Sequence, residues 1–375
     1  MKKLIFRNIF KDISTLFIII SLALTLIVWV IQAVNYLDIV SEDGHNFAVY
    51  FKFSLLSLPK IFNKLMLFVF FISVYFTLSK YEENNEILIF WSFGITKKEF
   101  INNLVKLSFF YFLIYLILSI FVVPKTQDMA RSYIRTSNID YFPSLIKSNH
   151  FNDTVSDLTI YVDKKNIDGS IDNLFIKQNL ERNKSKITTA RKGVIKKKGN
   201  DFYLSLYNGK IINIDKKNTN IILFDKSDFN LSRFKTKTTT FPKIQETSTD
   251  KLIACVNYFQ SYNLGFEEDL FRCNKNSINS VAQEIYKRII LPIYIIISGF
   301  IASFLVIKSK NQNNFNKFKI FIFSLGFLFI IFSEGSSNFV SYHDLHKTFI
   351  ALTPIILSLV LYLFFNFISG RSKKL

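Results

Sequence analysis

The sequence predicts an α-helical membrane protein with six transmembrane helices, three before and three after an inserted all-β domain. Three observations predict it. Half of the 375 residues are hydrophobic, yet the net charge is +19. A membrane protein reconciles the two by keeping apolar residues in spans and charge in loops. Six apolar segments, 14–36, 54–78, 104–123, 288–307, 318–339 and 349–368, match the run of about 20 residues that crosses a bilayer. Between the third and fourth lies a polar stretch, 124–280, in which short alternating apolar runs recur. The chain therefore divides into 1–123, 124–280 and 281–375.

Each span is expected to be helical, because hydrocarbon offers no partner for a free backbone N–H or C=O. The first is too long for a cleaved leader, and no small-residue cleavage site follows it. Lys and Arg in the short loops set the orientation. Lys2, Lys3, Arg7 and Lys11 precede span one; Lys80, Lys97 and Lys98 follow span two. Lys308, Lys310, Lys317 and Lys319 follow span four; Arg371, Lys373 and Lys374 close the chain. The opposite loops are poorer, with Asp38, Glu42 and Asp43 against Lys52, and Asp344 with Lys347. Both termini are thus expected in the cytoplasm and 124–280 outside. The many lysines of 124–280 do not oppose this, since long translocated domains escape the rule.

In the outer domain, strands are expected around Leu158–Val162, Leu174–Lys177, Lys186–Ala190, Phe202–Leu206 and Ile221–Phe224. Turn signals at Asp168-Gly169, Lys198-Gly199-Asn200 and Asn208-Gly209 separate them. Short punctuated strands of this kind predict a sandwich or open barrel. Its edges need cover, from loops or from a β-rich partner. From about 248 to 287 the pattern turns helical and polar. Cys255 and Cys273 both fall on the outer side, where a disulfide is chemically allowed and two unpaired thiols are the alternative.

No Walker-type Gly-x-x-x-x-Gly-Lys-Ser/Thr loop occurs, nor His-Glu-x-x-His, Cys-x-x-Cys or Gly-x-Ser-x-Gly. No catalytic or metal-binding residue is expected, and His343-Asp344-Leu345-His346 reads as a solvated loop. No nucleic-acid partner is expected.

The stretch from Glu82 to Phe100 is the most informative loop. Glu86 opens an amphipathic run with Ile87, Leu88, Phe90 and Trp91, and Gly94 ends it. Thr96 and Glu99 have the spacing of a capping box and would start the third span. A short helix of this kind, near 82–94, suits a groove on a soluble partner. The alternative is a helix lying on lipid, which Glu82, Glu83 and Glu86 disfavour through repulsion from anionic headgroups.

The run Ser79-Lys80-Tyr81-Glu82-Glu83-Asn84-Asn85-Glu86-Ile87, followed by Gly94-Ile95-Thr96, resembles the cytoplasmic loop of the lipopolysaccharide-export permeases, the LptF/LptG family. Trp29-Val30-Ile31-Gln32 and Leu58-Pro59 resemble the first two spans of its LptF branch; Glu284, Arg288 and Pro292 resemble the start of its fourth. The resemblance extends over essentially the whole chain. It implies a periplasmic β domain of jellyroll type and a multi-pass chain in the inner membrane of a Gram-negative bacterium. It implies pairing with a homologous LptG-like permease on a dimeric LptB-like ABC ATPase. It also implies a periplasmic LptC/LptA-like jellyroll bridge that meets the β domain's open edge. ATP and Mg would belong to the partner ATPase and no cofactor to this chain. Lipopolysaccharide would enter between the first span of one permease and the fifth of the other. The implied ATPase contact is Glu86 with Ile87, Phe90, Trp91 and Gly94. Two departures stand out: Ala33 and Tyr36 occupy the outer end of span one, where the family often has basic residues, and Leu67 occupies a common proline position.

Candidate substrate contacts therefore include other polar groups at membrane depth, which usually face an interior or a cavity. Lys60 and Lys64 share a helix face, with Lys52 above them and Gln32 at the end of span one. Snorkelling to outer headgroups is the alternative for the lysines. Glu334, between Ser333 and Gly335-Ser336-Ser337, lines the presumed gate or is solvated at its outer end. The competing functional class is a membrane-anchored periplasmic scaffold or sensor. A membrane transferase comes third, without an acidic metal motif to support it.

Overall fold

Among the described residues, five helical segments are long and apolar enough to cross a membrane: Lys2–Asn35, Phe47–Glu83, Lys97–Ile134, Ile278–Ile307 and Phe315–Phe339. The computed structural model describes residues 2–37, 47–136, 148–153, 157–166, 170–180, 184–198, 201–215, 219–230, 243–261, 273, 277–340, 352–361 and 363. Asp38, Glu42, Asp43, Asp168-Gly169, Gly199-Asn200, the His343–His346 run, Lys347 and the C-terminal cations lie outside the described residues. Of the sixth predicted span, 349–368, the described helix is Leu352–Leu361, shorter than a bilayer crossing.

The spans are less regular than their hydrophobicity implies. α1 (Lys2–Asn35) is continuous. The second span is α2 (Phe47–Leu56) and α3 (Leu58–Glu83), with a break at Ser57. Pro59 sits in the first turn of α3, where its missing N–H costs nothing. A short helix, α4 (Glu86–Ser92), precedes the third span. That span is α5 (Lys97–Ile117), a π-helical turn at Leu118–Val122, and α6 (Val123–Thr136). After the β domain, α7 (Thr249–Ser261) leads towards the fourth span. The fourth is α8 (Ile278–Ile289), a 3-10 turn at Leu291–Ile293 around Pro292, and α9 (Tyr294–Ser303). The fifth is α10 (Phe315–Ser336).

The chain forms two compact units: residues 1–30, 57–128 and 241–375, and residues 31–56 and 129–240. In the first, most of the second and fourth spans is buried, while only a third or less of the first, third and fifth is buried. Met66, Phe70, Phe71, Val74 and Leu78 of α3 meet Ile9, Ile13 and Phe17 of α1, Tyr111 and Tyr115 of α5, and Ile295, Ile297 and Ile301 of α9 in one core. Small residues allow the close approach, as is usual between membrane helices. A Cβ on Gly299 would overlap Ser108 Oγ, and one on Gly326 would overlap the Phe71 ring.

The second unit holds the β domain. β1 (Phe151–Asn152), β2 (Leu158–Lys165), β3 (Ser170–Leu180), β4 (Lys184–Lys198), β5 (Asp201–Ile214) and β6 (Thr219–Asn230) form one antiparallel sheet in sequence order. All five predicted strands are present and longer than predicted. The expected sandwich or barrel is not the observed arrangement among the described residues, which is a single meander with a one-sided core. Leu158, Ile160 and Val162, Ile171, Leu174 and Ile176, Ala190, and Leu204 and Leu206 build that core.

Asn208-Gly209 does not turn the chain; it lies inside β5. Here the ladder skips one row. Asp163, Asn173, Arg191, Asn208 and Asp225 form no register pair, while the rows on either side do. Asn173 and Asn208 have φ of 50° and 51°, a left-handed conformation that Asn tolerates. The crease reverses the pleat, so Ile171 and Leu174, three apart, are both buried. Gly209 is needed beside it because a Cβ would collide with the Thr189 carbonyl oxygen and Phe224 Cζ. Gly209→Ala should destabilise the β domain by about 1–3 kcal/mol, the usual cost of overpacking. Thermal unfolding of the purified chain checks this, and an unchanged midpoint would refute it.

Candidate functional site

Three regions carry the candidate chemistry. The first is the loop at α4. Asn85 takes φ 60° and Gly94 φ 73°, so each end of the short helix is a left-handed turn. Ile87 is 1 % exposed. The Phe90 ring lies 5.9 Å from Tyr81 of α3 and 6.2 Å from Phe100 of α5; Trp91 is 5.8 Å from Phe100. The helix is therefore fixed to the ends of both the second and the third span. Its outward face is Leu88, Ile89 and Phe93, which are 58, 50 and 51 % exposed. The resemblance implies an ATPase contact on Glu86, Ile87, Phe90, Trp91 and Gly94. The structure turns Ile87, Phe90 and Trp91 inward and puts Leu88, Ile89 and Phe93 outward, with Glu86 half-buried and Gly94 exposed. The outward spacing was available in the sequence at Asn85, Leu88, Ile89, Ser92 and Phe93, one helical stripe.

The acids of this loop also differ from expectation. Glu82 is buried and accepts the Lys310 backbone N–H at 2.7 Å. Glu83 pairs with Lys319, and its carbonyl accepts Lys310 Nζ at 2.8 Å. Lys97 Nζ donates to the Ile307 carbonyl at 2.7 Å. Glu86, half-buried, accepts from Asn84 Nδ2 at 3.0 Å, while Glu83 stays exposed. Thr96 caps α5 by accepting from Glu99 N–H at 3.2 Å, as expected. The Glu99 carboxylate instead takes Lys2 at 3.0 Å.

The second region is at the opposite end of the same unit, where the chain returns from the β domain. A 3-10 turn at Ile244–Glu246 leaves its terminal carbonyls without helical partners. Arg288, 2 % exposed, satisfies them. Its Nη1 donates to Thr247 O (2.8 Å) and Thr249 Oγ1 (3.0 Å), its Nη2 to Gln245 O (3.1 Å), and its Nε to Glu284 Oε1 (2.9 Å). Thr249 Oγ1 donates onward to the Ile120 carbonyl of the π turn at 2.9 Å. Lys60 Nζ reaches Gln245 Oε1 at 3.2 Å. Residues 243–249 are thereby fastened to the second, third and fourth spans at once.

The five candidate substrate contacts divide between the units. Lys60 is engaged by Gln245. Lys64 and Glu334 are exposed. In the other unit, Lys52 stands 5.0 Å over the Tyr133 ring, and Gln32 Oε1 accepts from Tyr36 OH at 3.3 Å. Tyr286 OH, between Tyr294 OH (3.1 Å) and Ser336 Oγ (2.9 Å), ties the fourth span to the small-residue end of the fifth. Cys255 and Cys273 are joined in a disulfide, Cα–Cα 5.9 Å, beside the buried Leu252, Ile278 and Val281.

The third region is the edge of the sheet, unpaired among the described residues. One edge strand, β1, has two residues; the other, β6, has twelve. β6 exposes Ile221, Ile222 and Leu223 at 63, 51 and 79 %. A long apolar edge of this kind is a template for another strand.

A family model described as "Lipopolysaccharide export system permease LptF/LptG" matches residues 7–366. The chain is also similar to the uncharacterized protein RP871 of Rickettsia prowazekii (strain Madrid E), 23 % identical over 293 residues that cover 78 % of each chain.

Proposed function

The chain belongs to the lipopolysaccharide export system permease LptF/LptG family, and from this premise we propose that it is an LptF-branch subunit of an ABC transporter that extracts lipopolysaccharide from the inner membrane. The family is one of non-catalytic transporter subunits, so the work of ATP hydrolysis falls to a partner ATPase holding ATP and Mg. Helix α4 is the observation that carries this reading. An exposed apolar face on a helix anchored by its other face to two spans is a device for receiving force. A push on Leu88, Ile89 and Phe93 acts through Phe90 on Tyr81 and Phe100, and so on α3 and α5. The Glu82–Lys310 bond passes the displacement to the loop after the fourth span. Nucleotide shifts the spans only to the extent that the ATPase binds one arrangement better than the other.

In this scheme α4 lies in the cytoplasm, and the β domain in the periplasm. The apolar flanks of α1 and α10 meet a homologous permease around the lipid path. Lys64 and Glu334 stand at the outer end of that path. β6 adds a strand from a periplasmic bridge of jellyroll type, which resolves its exposed edge.

Affinity purification of the tagged chain from native membranes tests the scheme. A nucleotide-binding subunit, a second permease and bound lipopolysaccharide should co-purify. Recovery of a stable chain without a nucleotide-binding subunit would replace it with a membrane-anchored scaffold or sensor.

A further inference from the structure

The end of the bundle that carries α4 has a second feature, outside the transport scheme. An open cavity of about 1090 Å³ lies between the start of α1 and the start of α5. Each helix lines it with one stripe at i, i+3, i+4, i+7 spacing: Lys3, Phe6, Arg7 and Phe10 on α1, and Glu99, Asn102, Asn103 and Lys106 on α5. Lys2 and Lys98 complete the rim. Its one acid, Glu99, is taken by Lys2. Lys3, Arg7, Lys98 and Lys106 are all exposed and form no ion pair or hydrogen bond with the described residues.

Four unneutralised cations around one concave surface repel each other and concentrate a positive field. The floor beneath them is apolar: Phe6 and Phe10 are half-buried, their rings 6.5 Å apart. Lys106 adds a depth argument. It lies nine residues beyond Lys97 in a membrane-spanning helix, about 13 Å along the axis at 1.5 Å per residue. An exposed lysine at that depth is costly unless an anion or water meets it. A soluble anion would satisfy the cations but leave the aromatic floor uncovered. A phospholipid with a negative headgroup satisfies both, and it can enter sideways, because α1 and α5 continue as membrane spans.

We infer that this cavity binds an anionic glycerophospholipid of the adjoining leaflet, with phosphate among Lys3, Arg7, Lys98 and Lys106 and an acyl chain over Phe6 and Phe10. The inference rests on membrane embedding, not on the cargo or the ATPase.

Native mass spectrometry of the purified full chain after delipidation and exposure to mixed phosphatidylcholine and phosphatidylglycerol tests it. The wild type should retain phosphatidylglycerol preferentially. Arg7→Gln with Lys106→Gln should lower that retention at least tenfold, and also abolish the rise in Tm that phosphatidylglycerol gives, with Tm in phosphatidylcholine unchanged. Lys80→Gln with Lys317→Gln removes the same charge elsewhere at this end and should change neither readout. Lys3→Gln with Lys98→Gln provides a second pair, in exposed positions at the helix starts, should the first misfold. Equal loss in the Lys80/Lys317 control would reduce the effect to bulk surface charge and overturn the site. Retention unaltered in both cavity variants would overturn it as well. Protection by inorganic phosphate equal to that by phosphatidylglycerol would reject the membrane source, and preferential retention of lipopolysaccharide would reject a phospholipid.

Discussion

Replacing Arg288 with alanine should destabilise the folded chain by about 3–5 kcal/mol, the cost typical of breaking a buried, hydrogen-bonded ion pair. The magnitude follows from what is left behind. Glu284, 15 % exposed at its side chain, would lose its cation. The carbonyls of Gln245 and Thr247 and the hydroxyl of Thr249 would lose their donor in a dry environment. Arg288→Lys should recover little, because a single ammonium cannot reproduce a planar fork that meets acceptors on three sides. The local signature matters as much as the total. Segment 243–249 is held to the body by Arg288, by Thr249 on Ile120 and by Lys60 on Gln245. Loss of the first should expose this segment to limited proteolysis well before the spans unfold. Thermal unfolding of the purified chain together with time-resolved proteolysis checks both parts. Wild-type midpoint and cleavage rate in Arg288→Ala would show that the buried arginine is dispensable.

What could be read from the sequence, and what could not, separates by range. The spans were legible because a run of apolar residues is a local property, and five of six predicted segments lie in described helices long and apolar enough to cross a membrane. The strand centres were legible for the same reason. The crease was not. Asn-Gly is the strongest short-range hairpin signal, yet Asn208-Gly209 serves a bend shared by five strands, visible only once the register is known. Glu82 looked like a surface acid beside Glu83 and Glu86. Its partner, the backbone of Lys310, is 228 residues away, so nothing nearby announced its burial. Glu284 and Arg288 were noticed only within the resemblance at the start of the fourth span, and the carbonyls that Arg288 serves lie more than 40 residues upstream. The outward face of α4 was not read either. Ile87, Leu88, Phe90 and Trp91 were identified but Ile89 and Phe93 were not, although the helical period that separates 87, 90 and 91 from 88, 89 and 93 was present to be applied. A seven-residue helix with apolar residues on both faces does not say which face is the core.

That distinction sets the second large effect. Leu88→Asp with Ile89→Asp should leave folding and membrane insertion intact, because both side chains already face away from the core. Association with the proposed nucleotide-binding subunit should collapse. Apolar anchors at the centre of an interface cost about 2 kcal/mol or more each when lost, and 1.4 kcal/mol is tenfold in affinity. The pair should therefore weaken binding by on the order of 1000-fold, with burial of two carboxylates adding to the loss. Ile87→Ala makes the contrasting control. Its side chain is buried under the helix, so its removal should cost about 2–5 kcal/mol of stability as a cavity and loosen α4 as a whole. Glu86→Ala, at a half-buried residue held by Asn84, should weaken association by about tenfold, one charge-assisted contact. Co-purification of the nucleotide-binding subunit, alongside Tm of the chain alone, separates the two classes. Substitutions at 88 and 89 should move the first readout only, and Ile87→Ala should move the second. Undiminished co-purification in the Leu88/Ile89 variant would mean that force enters the spans by another route.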